Sequence, residues 1–236
     1  MPQHLSSKNL LLSSRPLTVG VVADGTALEH FLGLDAPARE AACDLVELRL
    51  DTLKLDPVDL RARLAGNTTP ILLTARHPAE GGQGTPEAAG RAAQIEPLLD
   101  LAALIDIELR SAPEMQSTIQ KARAHGVPVI GSFHDFQATP ADEVLQGAIS
   151  FAQPAGIDSV KIATFLNSQD DLIRLMKIAA GPHRMRVSVM GMGPWGRLSR
   201  LVLAKCGSLL NYGFIGTSNA PGQWPAAELK QLLSQI

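Results

Sequence analysis

Asp158–Ala163 reads DSVKIA, a short stretch whose β-forming run, Ser159–Ile162 (SVKI), holds a lysine, Lys161, in its middle. An unpaired ammonium is costly to bury, so this lysine needs either a fixed partner or a chemical task. The run around it is one of a series. Seven others share its character: Leu17–Ala23 (LTVGVVA), Asp44–Arg49 (DLVELR), Pro70–Thr74 (PILLT), Ala103–Glu108 (ALIDIE), Val127–Ser132 (VPVIGS), Arg186–Met190 (RVSVM) and Leu210–Phe214 (LNYGF). The eight recur every 24 to 33 residues. Between them lie helical patterns, with start signals at Thr85-Pro86-Glu87, at Thr139-Pro140-Ala141-Asp142, and at Asn167 with Asp170. Apolar strands alternating with helices specify a parallel sheet, and eight βα units in 236 residues fit a closed (β/α)8 TIM barrel better than an open doubly wound sheet. No linker-like stretch divides the chain, so 1–236 reads as a single domain, with residues 1–16 an N-terminal extension before the first strand.

Composition narrows the class. The formal charge is -2 and apolar content is ordinary, as expected of a soluble globular chain rather than a nucleic-acid binder. Apolar runs stay far short of the roughly 20 residues that span a bilayer, and MPQHLSSKNLLLSSRP holds too brief an apolar core for a signal peptide. The expected location is the cytoplasm. Cys43 and Cys206 lie far apart with no CxxC or Cys/His spacing, so neither a disulfide framework nor a zinc site is expected.

A barrel carries its active site at the C-terminal ends of its strands, and that is where the polar residues fall. Glu47 and Arg49 end the second run two residues apart, on one face of a strand. Arg76 follows the third, with Glu80 in the loop beyond. Asp106 and Glu108 end the fourth, His134 and Asp135 follow the fifth, and Arg200 comes shortly after the seventh. Taken alone, Asp106 and Glu108 against Arg49 and Arg76 also fit a structural ion-pair layer, and His134 a core histidine. Lys161 is harder to explain structurally, because an interior strand position offers no snorkelling route to water.

Only roughly one lysine in 2,500 is a free amine at neutral pH when its pKa is unperturbed. Desolvation and nearby cations lower that pKa, giving the neutral nucleophile that attacks a ketone to form a Schiff base. The cationic iminium acidifies the adjacent C–H, and an imidazole such as His134 can remove that proton. Lysine and histidine at a barrel mouth thus point to carbon-acid chemistry, with retro-aldol cleavage, isomerisation and elimination all open. The substrate is expected to be a small anion. No acidic residue occurs between Asp171 and Glu228, a segment holding seven Lys and Arg residues, and Arg200 in GMGPWGRLSR is placed to grip a carboxylate. Gly191, Gly193 and Gly196 spell G-x-G-x-x-G, yet the acidic residue a dinucleotide site wants about 20 positions on is absent.

DLVELRLD, TARHPAEGG, DIEL, SFHDFQATP, VKIA, MGMGPWGRLSR and APGQ occur in an order and spacing that resembles type I 3-dehydroquinate dehydratase, over essentially the whole chain after residue 16. The resemblance implies a (β/α)8 homodimer, without metal or cofactor, that converts 3-dehydroquinate to 3-dehydroshikimate in the shikimate pathway. It implies that Lys161 forms the imine and that His134 is the general acid/base, oriented by Glu80 with help from Asp106. It further implies that Glu47, Arg49 and Arg76 contact the substrate, that Arg200 and Gln223 hold its carboxylate, and that Met190, Met192 and Phe214 form an apolar wall. The chain departs from the family in the last loop, where Asn219 stands at a substrate-binding serine position with Ser218 one place earlier, and Ala23 replaces a frequent serine at the end of the first strand. A class I aldolase or transaldolase, or a non-catalytic quinate-binding homologue, would share the fold and part of this site.

Overall fold

The computed structural model describes residues 10–218 and 220–236. Eight parallel strands form its core: β1 (Leu17–Val22), β2 (Leu45–Arg49), β3 (Ile71–Thr74), β4 (Leu104–Glu108), β5 (Val129–Asp135), β6 (Ser159–Phe165), β7 (Arg186–Met192) and β8 (Leu210–Phe214). Their ladder runs β7-β6-β5-β4-β3-β2-β1-β8. Between β7 and β8 the barrel is nearly closed by a different device. The Leu209 amide donates to the Val187 carbonyl at 3.0 Å. Two serines supply the remaining contacts: Ser188 Oγ accepts from the Leu210 amide at 3.0 Å, and Ser208 Oγ accepts from the Val189 amide at 2.9 Å. Hydroxyls thus satisfy backbone groups that a regular ladder would have paired.

Strand alternation sorts the side chains into two cores. Val46, Leu48, Leu73, Ile105, Ile107, Val160, Ile162 and Val189 face outward against the helices. Val19, Val21, Leu45, Leu72, Leu104, Ile130, Ala163, Met190, Leu210 and Tyr212 fill the barrel interior. Leu10 and Leu11 belong to that interior cluster. Arg15 pairs with Asp44 at 2.7 Å and Ser13 O accepts from Arg186 at 3.0 Å. The described part of the segment read as an extension therefore packs across the N-terminal ends of the strands.

The barrel expected from the sequence is the one observed, with differences at element ends. β5, β6 and β7 run on to Asp135, Phe165 and Met192, beyond the ends read at Ser132, Ile162 and Met190. Polar residues there stay in the ladder, His134 opposite Ala163 and Asp135 opposite Thr164. The helix Gln169–Ala180 is capped one residue later than read, by a reciprocal box of Ser168 and Asp171. Thr139 caps nothing; its buried hydroxyl meets Thr164 Oγ1 at 2.9 Å and the Phe165 carbonyl at 3.1 Å. Among the described residues no helix is long and apolar enough to cross a membrane.

Candidate active site

A barrel interior is built from layers of four side chains contributed by alternate strands. Here one such layer consists of Glu47 from β2, Asp106 from β4, Lys161 from β6 and Tyr212 from β8. Lys161 is 5 % exposed. Its Nζ lies 3.4 Å from Asp106 Oδ2, 3.8 Å from Glu47 Oε1 and 4.0 Å from the centre of the Tyr212 ring. Burial lowers its pKa below the ordinary lysine value; Glu47 and Asp106 oppose that shift, while Arg76 and Arg49 add to it. The buried lysine thus has partners and a weakened hold on its proton.

The neighbouring strands hold the carboxylates in place. Thr74 donates to Glu47 at 2.8 Å, and Ser132 donates to Asp106 at 2.6 Å. Arg76, just past β3, donates through Nη1 to Asp106 and Glu108, both at 2.9 Å, and to Ser132 Oγ. Burial works against the Arg76 charge, but Asp106 and Glu108 more than offset it and hold the guanidinium firmly protonated. Burial likewise opposes the Asp106 charge, and Arg76 and Lys161 overcome it, keeping that carboxyl ionised. Glu108 also accepts from the His77 amide at 2.9 Å and lies 3.7 Å from Arg91 Nη1. Arg91 is a wholly buried guanidinium with no hydrogen-bond partner among the described residues, so Glu108 is its nearest electrostatic support.

His134 and Glu80 form a dyad at the rim. Glu80 Oε2 meets both the His134 amide, at 3.1 Å, and its ring Nδ1, at 2.8 Å. Burial pushes the Glu80 carboxyl up to about 7 against the pull of Arg76. Burial, then the charges of Arg76 and Lys161, push the His134 imidazole well below its ordinary value. The imidazole is therefore neutral at pH 7. With Nδ1 turned to Glu80, Nε2 is the nitrogen left for a proton in the cavity. Phe136 stacks beside the ring, 6.2 Å between centroids.

The loop carrying Glu80 is tightly specified. A 3-10 turn, Pro78–Glu80, ends at Gly81 with φ +84°, and a Cβ on Gly82 would sit 2.0 Å from the Arg76 carbonyl oxygen. Asp51 ties this loop to β2: it accepts from the Arg76 amide at 3.2 Å, from the Gln83 amide at 3.1 Å, and from both ends of the Arg49 fork at 3.0 and 2.9 Å. Arg49 therefore enters the cavity already paired.

The opposite side of the mouth is organised around Arg200, in the helix Gly196–Lys205 that follows β7. It is 1 % exposed and makes no salt bridge among the described residues. Its Nε donates to the Tyr212 carbonyl at 3.0 Å, and its Nη1 to the carbonyls of Gly191, Gly196 and Gly222 at 3.0, 2.9 and 2.6 Å. Burial lowers its pKa to about 10, leaving it a cation at neutral pH. The G-x-G-x-x-G glycines serve this arrangement. Gly193 has φ +79°, and a Cβ on Gly196 would meet Gly222 Cα at 2.9 Å, so they let the last loop approach the helix start.

The family model for type I 3-dehydroquinase matches residues 27–236. The chain belongs to the type I 3-dehydroquinase family. It is 33% identical to the 3-dehydroquinate dehydratase of Methanosarcina barkeri over 225 residues, 89% of this chain and 92% of that one. The crystal structure of 3-dehydroquinate dehydratase from Geobacillus kaustophilus superposes with a TM-score of 0.85 at 25% identity, covering 99% of this chain and 96% of the other. The type I enzyme from Clostridium difficile, solved with covalently modified comenic acid, gives 0.80 at 25% identity over 94% and 92%.

Of the residues the family resemblance implied, Glu47, Arg49, Arg76, Glu80, His134, Lys161, Met190, Met192, Arg200 and Gln223 line one cavity of about 590 Å³, measured with its open mouth. Asp106 lies behind them, reaching the cavity through Lys161 and Arg76. Phe214 and Ser218 are not part of the lining; Ser218 Oγ donates to the Ala220 carbonyl at 3.0 Å. Asn219 falls outside the described residues. Tyr212 takes a wall position that the sequence reading had given to Phe214, and Phe136 and Ala220 line the mouth as well. Asp51, the anchor of the Glu80 loop, was also missed. Its sequence neighbourhood, RLDTLKLD, resembles a solvated helix start and carries no signal of burial.

Proposed function

We propose that the chain is a 3-dehydroquinate dehydratase working in the shikimate pathway, and that it eliminates water through an imine on Lys161. The observation that carries this reading is the pairing of a buried lysine, its proton affinity lowered by burial, with a neutral imidazole in one cavity, opposite a buried guanidinium that has no carboxylate partner among the described residues. The Lys161 amine adds to the C3 ketone and the resulting carbinolamine loses water to give an iminium. His134 Nε2 takes a proton from C2, leaving an enamine. The imidazolium then protonates the departing C1 hydroxyl, which leaves as water. Hydrolysis of the conjugated iminium consumes one water, releases 3-dehydroshikimate and restores the lysine, so the net change is loss of one water.

The remaining residues divide the supporting work. Glu80 orients His134 and steadies its imidazolium. Asp106 and Glu47 fix Nζ, and Arg76 fixes Asp106. Arg200 and Gln223 receive the carboxylate, Met190 and Met192 cover the ring, and Glu47 and Arg49 face its hydroxyls. The covalently modified ligand of the Clostridium difficile relative supports covalent chemistry in the family. The family likeness also favours a cytoplasmic homodimer; light scattering of the purified protein tests the dimer.

Incubating the purified chain with 3-dehydroquinate should produce the absorbance of a conjugated enone, and Lys161→Met should abolish it. No product from the parent, or a Lys161→Met variant that retains turnover, would overturn this function.

A further inference from the structure

We infer that Tyr212 is a catalytic residue of this site, its ring face carrying the positive charge on Lys161 Nζ through both the ammonium and the iminium stages. The inference rests on the imine reading above and deepens it. Nζ stands 4.0 Å from the ring centroid, within the range where an aromatic face attracts a cation, and both groups are nearly free of solvent, where that attraction is strongest. Tyr212 also completes the interior layer, so Nζ meets Glu47 on one side, Asp106 on another and the ring on a third.

The three neighbours are not equivalent. An ammonium has three N–H donors for its carboxylates. Once the nitrogen is an iminium only one N–H remains, and the hydrogen-bonded share of the stabilisation falls. The ring acts on the charge and needs no N–H. It takes no proton, so it does not compete for the amine lone pair either. The hydroxyl is not the working part, because it is buried with no hydrogen-bond partner among the described residues. The ring's position is fixed by its backbone, whose carbonyl accepts from Arg200 Nε at 3.0 Å.

The test varies the ring's electrostatics at nearly constant volume. Tyr212→Phe keeps the face, discards the hydroxyl and is the reference against which the series is read. Mono-, di- and trifluorinated phenylalanines at position 212 then weaken the face stepwise. Two readouts are followed: kcat on 3-dehydroquinate, and the Lys161 ammonium pKa from carbon-13 NMR of lysine-labelled protein without substrate. Glu47, Asp106, Arg76, Arg49 and His134, the other charged or titratable groups around Nζ, are unchanged across the series. The Lys161 pKa should fall progressively, by about one unit at the trifluorinated ring, and kcat by about tenfold. A flat pKa series overturns the inference whether or not the protein turns over 3-dehydroquinate. A falling pKa with no 3-dehydroquinate turnover in the parent would support the ring's hold on the ammonium, and would locate the failure in the proposed reaction. A falling pKa with unchanged kcat would overturn the iminium role.

Discussion

The two sides of the barrel mouth solve the burial of charge in opposite ways. On the β2–β6 side, three carboxylates (Glu47, Asp106, Glu108) face three cations (Arg76, Arg91, Lys161). Charge there is answered by charge, and threonine and serine hydroxyls fill remaining acceptor positions. On the β7–β8 side Arg200 has, among the described residues, only carbonyl dipoles. Dipoles orient a guanidinium but leave its net charge in place. The difference assigns labour: the neutralised side can set proton affinities without attracting a counter-ion, and the other side keeps a fixed positive charge that an anionic substrate can answer.

That contrast can be broken at several points. The largest effect is expected from His134→Ala, which should lower kcat by about 10²- to 10⁴-fold, the usual worth of a general acid/base group, with KM little changed. An unchanged kcat would remove the dyad from the chemistry. Next comes a paired comparison of the two sides. Arg200→Met should raise KM by about 10- to 100-fold, since a hydrogen bond to a charged group is worth ~1.5–3 kcal/mol. Asp106→Asn should instead act on stability, because removing one partner of a buried pair costs ~3–5 kcal/mol and leaves Arg76 and Lys161 in excess. Denaturant titrations of both variants beside steady-state kinetics give the answer. Equal losses of stability with equal KM values would erase the distinction between the sides.

The smallest effect concerns Glu80. Its folded pKa of about 7 lies above the ordinary carboxylate value, so the fold favours its protonated form. Its ionisation therefore costs stability as pH rises: nothing below the unfolded value near 4.5, increasingly between 4.5 and 7, and fully above 7. Glu80→Gln cannot ionise. Its Tm should match the parent near pH 4 and exceed it by a few degrees at pH 8. A difference that does not change with pH would mean that Glu80 titrates normally.

How much of this was legible beforehand follows from what determines each feature. The barrel was readable because eight apolar runs recur with helical intervals, and Glu47, Asp106 and Lys161 within those runs, like Arg76 just beyond one, were marked because charge stands out against apolar sequence. The exchange of Phe214 for Tyr212 has a geometric cause. Both lie on the inward face of β8 by the two-residue period, and which of them meets Lys161 depends on the stagger between strands, which one strand's sequence does not encode. Arg91 was invisible for another reason: an arginine in a short helix reads as surface, and only the packed structure shows it entombed beside Glu108. Asp51 became recognisable only once the loop after β3 had folded back onto β2.

The central claim is that Lys161 forms the covalent link to the substrate, and borohydride trapping followed by peptide mass mapping addresses it directly. Added during turnover of 3-dehydroquinate, borohydride should inactivate the protein and leave one reduced adduct on the peptide bearing Lys161. Full activity without an adduct, or an adduct on another lysine, would contradict the account.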